Sequence, residues 1–325
     1  MRDAFEKFEA LGIELYAISY DDQRVLREFG DKQAIPYRLL SDINSKVIRR
    51  YGILNDQVGR GDAFLEGIPY PGVYVTDEEG IVVAKFFHDT YKKRDSPQLL
   101  IDAAMGRLVI SDDEQRARGG DENVSISVFV HGGKGTIRQG IVRELVVRCE
   151  LGEGMHVYGE PVPEGMKPVT LKVKGPPGLV LEDPVFPPVE TMRLESMAMD
   201  LPVWSGTLDI RVPFYAVGEL ASETRPLDAE TAEIDIEFEY QACTDATCFL
   251  PKKENLRISL DLDVIDVPAV GIHVGHGQRE GNYRGAPHLA RLIFRKFRAN
   301  PLGLPRMVLK VLGLEIAARR RAWRK

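Results

Sequence analysis

Between residues 233 and 240 the chain alternates without a break: Ile234, Ile236, Phe238 and Tyr240 on one side, Glu233, Asp235, Glu237 and Glu239 on the other. Side chains along an extended strand point to opposite faces in turn, so this period of two admits a half-buried strand and excludes an amphipathic helix. Residues 257–264 and 207–212 repeat the pattern, and residues 125–130, 141–148 and 169–173 add apolar runs of strand length. One-faced strands separated by Gly- and Pro-containing turns predict an antiparallel sandwich over residues 124–266.

The first 110 residues follow another rhythm. Phe5, Phe8 and Leu11 stand at helical spacing before Gly12, and residues 13–19 form a short apolar run. Asp21 and Asp22 are placed to cap a helix whose Val25, Leu26 and Phe29 share one face. A short extended piece, a helix over residues 44–51, a hairpin around Asp77-Glu78-Glu79-Gly80 and a helix over residues 96–105, with Pro97 in its first turn, complete the region. Helices alternating with strands predict an α/β layer fold over residues 1–110. Residues 111–123 are charged, contain Gly119-Gly120 and show no apolar period, so they read as a linker. A length of 325 residues suits two domains.

No run approaches the ~18 apolar residues of a membrane-spanning helix, and Met1 is followed by charged residues rather than a signal-peptide core. The net charge of -6 hides an asymmetry: residues 279–325 hold 13 Lys/Arg and 2 Asp/Glu, leaving 30 and 47 in the remainder. An acidic body with a basic tail is not the profile of a nucleic-acid-binding fold. Within the tail, residues 267–325, Leu289, Ile293 and Phe297 make one apolar stripe, and Met307, Val308, Val311, Leu312 and Ile316 another. Such basic amphipathic helices pack on their own acidic domain or lie on an anionic membrane.

Three cysteines bound the sulfur chemistry. Cys149 sits in an alternating run and reads as a small buried hydrophobe. Cys243 and Cys248 leave the end of one alternating strand and re-enter before the next, in YQACTDATCFLPKK. On spacing alone, a redox pair and two unlinked thiols in a reducing compartment stand level. Zinc is not expected, because no further His or Cys follows to complete four ligands. His156 reads as structural, and His273 and His276 as members of a glycine-rich loop.

Two stretches carry family resemblances. FEKFEALGIELYAISYDD, FGDKQAIPYRLLSDINSKVIRRYGIL and PYPGVYVTDEEGIVVAKF resemble, in order, the peroxiredoxin (AhpC/TSA) branch of the thioredoxin-like proteins. The resemblance implies a thioredoxin-like domain, antioxidant or disulfide-exchange activity, and a cis-proline at Pro71. It also implies a reactive cysteine on a helix following the first strand, yet no cysteine precedes Cys149, and Pro71 and Gly72 stand where the family has an arginine. Met1 falls where that helix should already be running, so the chain is expected to be a fragment of a longer protein. The domain as given lacks the peroxidatic thiolate.

GMHVYGEPVPEGMKPVTLKV, with the later YQACTDATCFLPKK, is similar to the N-terminal domain of the thiol:disulfide interchange protein DsbD. That resemblance implies an immunoglobulin-like sandwich, Cys243 and Cys248 as an exchanging pair with Cys248 attacked, and Tyr158 and Tyr240 lining the site. It also implies a covering loop over residues 186–199, where Met192, Met197 and Met199 replace the family's aromatics. The expected function is thiol–disulfide exchange with a thioredoxin-like partner, or with the chain's own first domain, without a cofactor. The competing expectation is a non-catalytic interaction module with a degenerate thioredoxin-like domain. The compartment stays open.

Overall fold

The protein is described from a computed structural model, which places residues 1–56, 58, 66–88, 93–111, 116–133, 135–194, 199–223, 225–226, 229–244, 246–264 and 286–322. The chain divides into two compact units, Met1–Ile110 and Ser111–Lys325.

The first unit is mixed α/β. A 3-10 turn leads into α1 (Phe5–Ala10), and the chain passes through Gly12 to β1 (Tyr16–Ser19). Helix α2 (Gln23–Gln33) begins where the Asp22 carboxylate accepts the Val25 N–H at 2.9 Å, the cap its position predicts. Strand β2 (Arg38–Ser41) returns parallel to β1, an arrangement that needs a crossover such as α2. Asp42 then accepts the N–H groups of Val47 at 3.1 Å and Ile48 at 2.9 Å, fixing the start of α3 (Lys46–Arg50).

Strands β3 (Gly72–Thr76) and β4 (Val82–Phe87) form the expected hairpin, its turn held by the Ile81 N–H donating to Asp77 Oδ1 at 2.7 Å. A short β5 (Arg94–Asp95) and α4 (Pro97–Met105) follow. Phe8, Leu100 and Ile101 form a small core, with Val73 and Phe86 packed against it. The β1–β2 pair and the β3–β4 pair are separate two-stranded sheets. The apolar face expected of α2 is divided: Leu26 is buried, whereas Val25 and Phe29 are exposed, as are Tyr16, Ile18 and Leu40 on the strands.

The second unit is β-rich. Its elements are β6 (Arg116–Gly120), β7 (Val124–His131), β8 (Thr136–Ile137), β9 (Ile141–Leu151), β10 (His156–Tyr158), β11 (Thr170–Lys174), β12 (Leu179–Leu181), β13 (Glu190–Leu194), β14 (Met199–Ser205), β15 (Thr207–Ala216), α5 (Gly218–Ala221), β16 (Thr231–Tyr240), β17 (Ala242–Cys243), β18 (Lys252–Leu262), α6 (Ala286–Ala299) and α7 (Gly303–Ala322). One sheet runs β12-β15-β9-β7-β6, a second β11-β16-β18-β8, and a third β13-β14-β10-β17.

The inward residues of the first two sheets form one cluster. Ile126, Val128, Leu145, Val147 and Ile210 from one side meet Ile234, Ile236, Phe238, Ile258 and Leu260 from the other, which makes the unit a sandwich. The strict alternation over residues 233–240 thus sorts side chains as its period demands. Emptying a site such as Phe238, which has no exposed surface, costs about 3–5 kcal/mol for an aromatic-to-Ala change.

The stretch read as linker contains a strand. Residues Arg116–Gly120 pair antiparallel with β7, and the Arg116 guanidinium lies over the Phe129 ring at 4.7 Å. Gly119-Gly120 is a packing requirement rather than a source of flexibility. A Cβ on Gly119 would stand 3.1 Å from both Glu254 and Leu256, and one on Gly120, at φ 95°, would strike the Val124 carbonyl. Asp121 closes the hairpin by accepting the N–H groups of Asn123 at 2.8 Å and Val124 at 3.0 Å.

Candidate functional site

The third sheet has two unlike faces, set by its pairing. His156 stands opposite both Ser205 of β14 and Cys243 of β17, so the three share a row, and Tyr158 lies two residues on, opposite Val203. Val157 points the other way with its partners Trp204 and Ala242, into the main core. The outer face carries its own small cluster of Tyr158, Leu201, Val203 and Cys243. One alternation therefore anchors the sheet on the sandwich and displays sulfur chemistry on its far side.

Cys243 and Cys248 are joined in a disulfide, with their Cα atoms 4.1 Å apart. They face each other across a tight hairpin: the Phe249 N–H donates to the Ala242 carbonyl at 3.0 Å and the Thr244 N–H to the Thr247 carbonyl at 2.8 Å. Between two such flanking bonds lies a non-hydrogen-bonded pair, the closest approach an antiparallel ladder offers. Gln241 secures the hairpin's base. Its Nε2 donates to the Phe249 carbonyl at 3.0 Å and its Oε1 accepts the Lys167 N–H at 2.9 Å.

The two sulfur-bearing residues differ in access. Cys243 has no exposed surface, whereas Cys248 is exposed. The Tyr158 hydroxyl lies 3.5 Å from Cys248 Sγ and 3.3 Å from His156 Nε2, and the His156 and Tyr158 rings meet edge to face at 5.3 Å. Burial pushes the Tyr158 phenol up, so it keeps its proton. His156, expected to be structural, is thereby part of the site. The His-x-Tyr spacing on a strand is the signal, since it sets both rings on one face.

The remaining expected site residues fall elsewhere. Tyr240 continues the inward series of β16 and stacks on Phe238 at 5.5 Å in the main core. Burial, then Glu254 and Cys149, push its phenol up to about 12, and its hydroxyl has no hydrogen-bond partner among the described residues. It therefore belongs to the sandwich core. Cys149 is buried on β9, as expected. Pro71 directly precedes β3 in the first unit, and the Tyr70–Pro71 bond is not cis; the cis bond among the described residues is Glu160–Pro161. The trans form is the lower in energy for an X–Pro bond by about 0.5–1 kcal/mol. At Gly72 any side chain would enter the Phe87 ring.

Of the stretch expected to cover the site, Met192 of β13 and Met199 of β14 pack against the cluster of Tyr158, Leu201, Val203 and Cys243, while Phe186 stacks on Trp204 at 5.7 Å on the core side. Met197, His273 and His276 lie outside the described residues.

Both halves match thiol-redox families. Residues 1–85 match the AhpC/TSA family, and residues 135–260 match the N-terminal domain of thiol:disulfide interchange protein DsbD. Chloroplastic peroxiredoxin Q of Arabidopsis thaliana is 37% identical over 81 residues, which are 25% of this chain and 34% of that protein. The chain thus spans about a third of the curated relatives it matches. Among solved structures, the N-terminal periplasmic domain of ScsB from Proteus mirabilis aligns with a TM-score of 0.32 and 10% identity, over 47% of this chain and 53% of that one. The reduced DsbD N-terminal domain of Neisseria meningitidis aligns with a TM-score of 0.25 and 15% identity, over 47% and 91%.

Proposed function

We propose that the second unit exchanges electrons with a thioredoxin-like dithiol through Cys243 and Cys248. The observation that carries this reading is the asymmetric disulfide, with Cys248 at the surface and Cys243 beneath it. A partner thiolate attacks Cys248 Sγ. The Cys243–Cys248 bond breaks, and its electron pair leaves on Cys243 Sγ, which takes up a proton. The partner's second thiolate then attacks its own sulfur in the mixed disulfide and releases Cys248 as a thiolate, which takes up a proton in turn. Two electrons pass from the partner dithiol to the pair, the two protons shed to water as the partner's thiols ionise are matched by those taken up at Cys243 and Cys248, and the reverse sequence oxidises the pair. The DsbD-type match over residues 135–260 supports this assignment.

The first unit supplies no thiol of its own to this chain, because Cys149 is the first cysteine. Its AhpC/TSA match supports a thioredoxin-like domain in the same chain as the exchanging one. The deciding experiment titrates the chain against glutathione redox buffers and counts thiols by mass. Two of the three thiols oxidising together at a defined potential is the expected result. Three independent thiols would leave a binding module in place of an exchanger.

The tail supports a second, separate contact. Helix α6 buries Leu292 and is tied to Glu223 after α5 by a buried ion pair of 2.6 Å from Lys296, yet leaves Phe294 67% exposed, and α7 leaves Leu309 69% exposed. Exposed apolar residues among 13 Lys/Arg fit an anionic lipid surface. Co-sedimentation with phosphatidylglycerol vesicles, but not with phosphatidylcholine vesicles, is the expected result. Equal binding to both, or to neither, removes the reading.

A further inference from the structure

We propose that His156 is a positioning residue for sulfur exchange, holding the Tyr158 hydroxyl so that its proton points at Cys248. The inference deepens the exchange reading of the Cys243–Cys248 pair and rests on it.

The geometry is a three-member chain. His156 Nε2 lies 3.3 Å from Tyr158 Oη, and Tyr158 Oη lies 3.5 Å from Cys248 Sγ. His156 and Tyr158 are both buried, so their mutual contact is little diluted by water. A phenol has one proton to give. If it goes to His156, the sulfur faces only oxygen lone pairs. If His156 Nε2 carries a hydrogen, the imidazole donates to the phenol oxygen and the phenol proton is free to point at Cys248.

That choice matters when Cys248 leaves the mixed disulfide. Its Sγ then carries an electron pair, and a thiolate is stabilised by donors and cations aimed at it. The Tyr158 hydroxyl is such a donor, without transferring its proton. It can donate only when the ring behind it carries a hydrogen at Nε2. On β14, Ser205 stands opposite it and donates to Glu190 Oε2 of β13 at 2.8 Å. Glu190, Ser205 and His156 line one open cleft of ≈ 420 Å³, together with Glu153 of the loop before β10. On β17 the facing residue is Cys243. Two carboxylates and no cation line that cleft among the described residues.

The consequence is a coupled titration, in which the Cys248 thiol and the His156 ring share their proton equilibria through Tyr158. Tyr158→Phe and His156→Phe break the same chain at different links, so their effects do not add.

The test uses the reduced full chain and follows iodoacetamide alkylation of Cys248 from pH 5 to 10 by peptide mass, with Cys149 as an internal check of folding. Wild type should alkylate with a thiol midpoint below the ~8.5 of a free cysteine and a second inflection from the imidazole. His156→Phe should move the midpoint up by about one unit, slowing alkylation at pH 7 on the order of tenfold. Tyr158→Phe should do the same, and the double variant no more. His156→Gln, whose amide can donate but does not titrate, should keep the low midpoint and lose the second inflection. If His156→Phe exposes Cys149, His156→Gln decides alone, and a persisting second inflection overturns the proposal. A midpoint that moves with Tyr158→Phe but not with His156→Phe overturns it as well. No exchange partner enters the assay. A chain that passes the glutathione titration without these shifts therefore loses this proposal alone, whereas one that fails the titration loses the exchange reading and this proposal with it.

Discussion

The Cys243–Cys248 bond joins a residue with no exposed surface to one that stands at the surface, and the two are five positions apart on one hairpin. In the exchange proposed above, this difference in access would give separate roles to sulfurs that are chemically identical, with the incoming thiolate reaching Cys248. Cys243 lies among Tyr158, Leu201 and Val203, screened from bulk thiols.

Trapping follows from that asymmetry. Cys243→Ser leaves the reachable sulfur without its resolving partner and is expected to accumulate a mixed disulfide with a thioredoxin-like protein. Cys248→Ser leaves a buried thiol and is expected to trap little. Non-reducing mass spectrometry of both variants with an oxidised thioredoxin-like partner checks this. Equal trapping by the two would mean that burial does not select the reacting sulfur.

Tyr240 offers a stability test that separates core from site. Its hydroxyl is buried without a partner among the described residues. Removing an unsatisfied buried group relieves a penalty of about 1–3 kcal/mol. Tyr240→Phe is expected to raise the midpoint of thermal unfolding by a few degrees, at about 2–4 °C per kcal/mol in a unit of this size. Thiol exchange should be unchanged. Slowed exchange in Tyr240→Phe would place the residue back at the site.

The Lys296–Glu223 pair is the best-defined link between tail and sandwich, with side chains 6% and 0% exposed. Losing one side of a buried ion pair costs about 3–5 kcal/mol. Lys296→Met is therefore expected to loosen α6 and speed tryptic cleavage within residues 286–322. Glu223→Gln combined with Lys296→Met should return cleavage towards the wild-type rate, because the carboxylate is neutralised together with its ammonium. Cleavage of Lys296→Met at the wild-type rate would show that this ion pair does not hold the helix.

Much of this was legible from the chain because a period of two carries its own geometry. The alternation over residues 233–240 already grouped Tyr240 with Ile234, Ile236 and Phe238; family resemblance drew it to the site, and strand register placed it in the core. The cysteine pair was visible as a loop between strands. Its asymmetry was not, because it depends on which face of the third sheet Cys243 occupies, and that is fixed by pairing with β10, about ninety residues earlier. Gly119-Gly120 misled for the opposite reason. Glycine marks both flexible chain and tight contact, and only the neighbouring Glu254 and Leu256 of β18 distinguish them. In the first unit, helices and hairpin were readable, whereas the exposure of Val25 and Phe29 depends on what else packs there.

Cys149 supplies the last prediction, because it titrates against folding. Burial, and then Glu150, push its thiol up to about 12. A folded-state pKa above the unfolded value of about 8.5 means that the folded chain holds the proton more tightly. Its contribution to stability is complete below the unfolded thiol's pKa and is lost as pH rises towards 12. Tyr240, also pushed up to about 12 and coupled to Cys149, loses its contribution over the upper part of the same range. The reduced native chain is therefore expected to show Cys248 reacting at pH 8 and Cys149 only on unfolding. Denaturant midpoints should fall between pH 9 and 11, and Cys149→Ala should flatten that fall without affecting exchange at Cys248. Cys149 reacting at pH 8 in the folded chain, or an unchanged slope in Cys149→Ala, would contradict the buried placement of this residue.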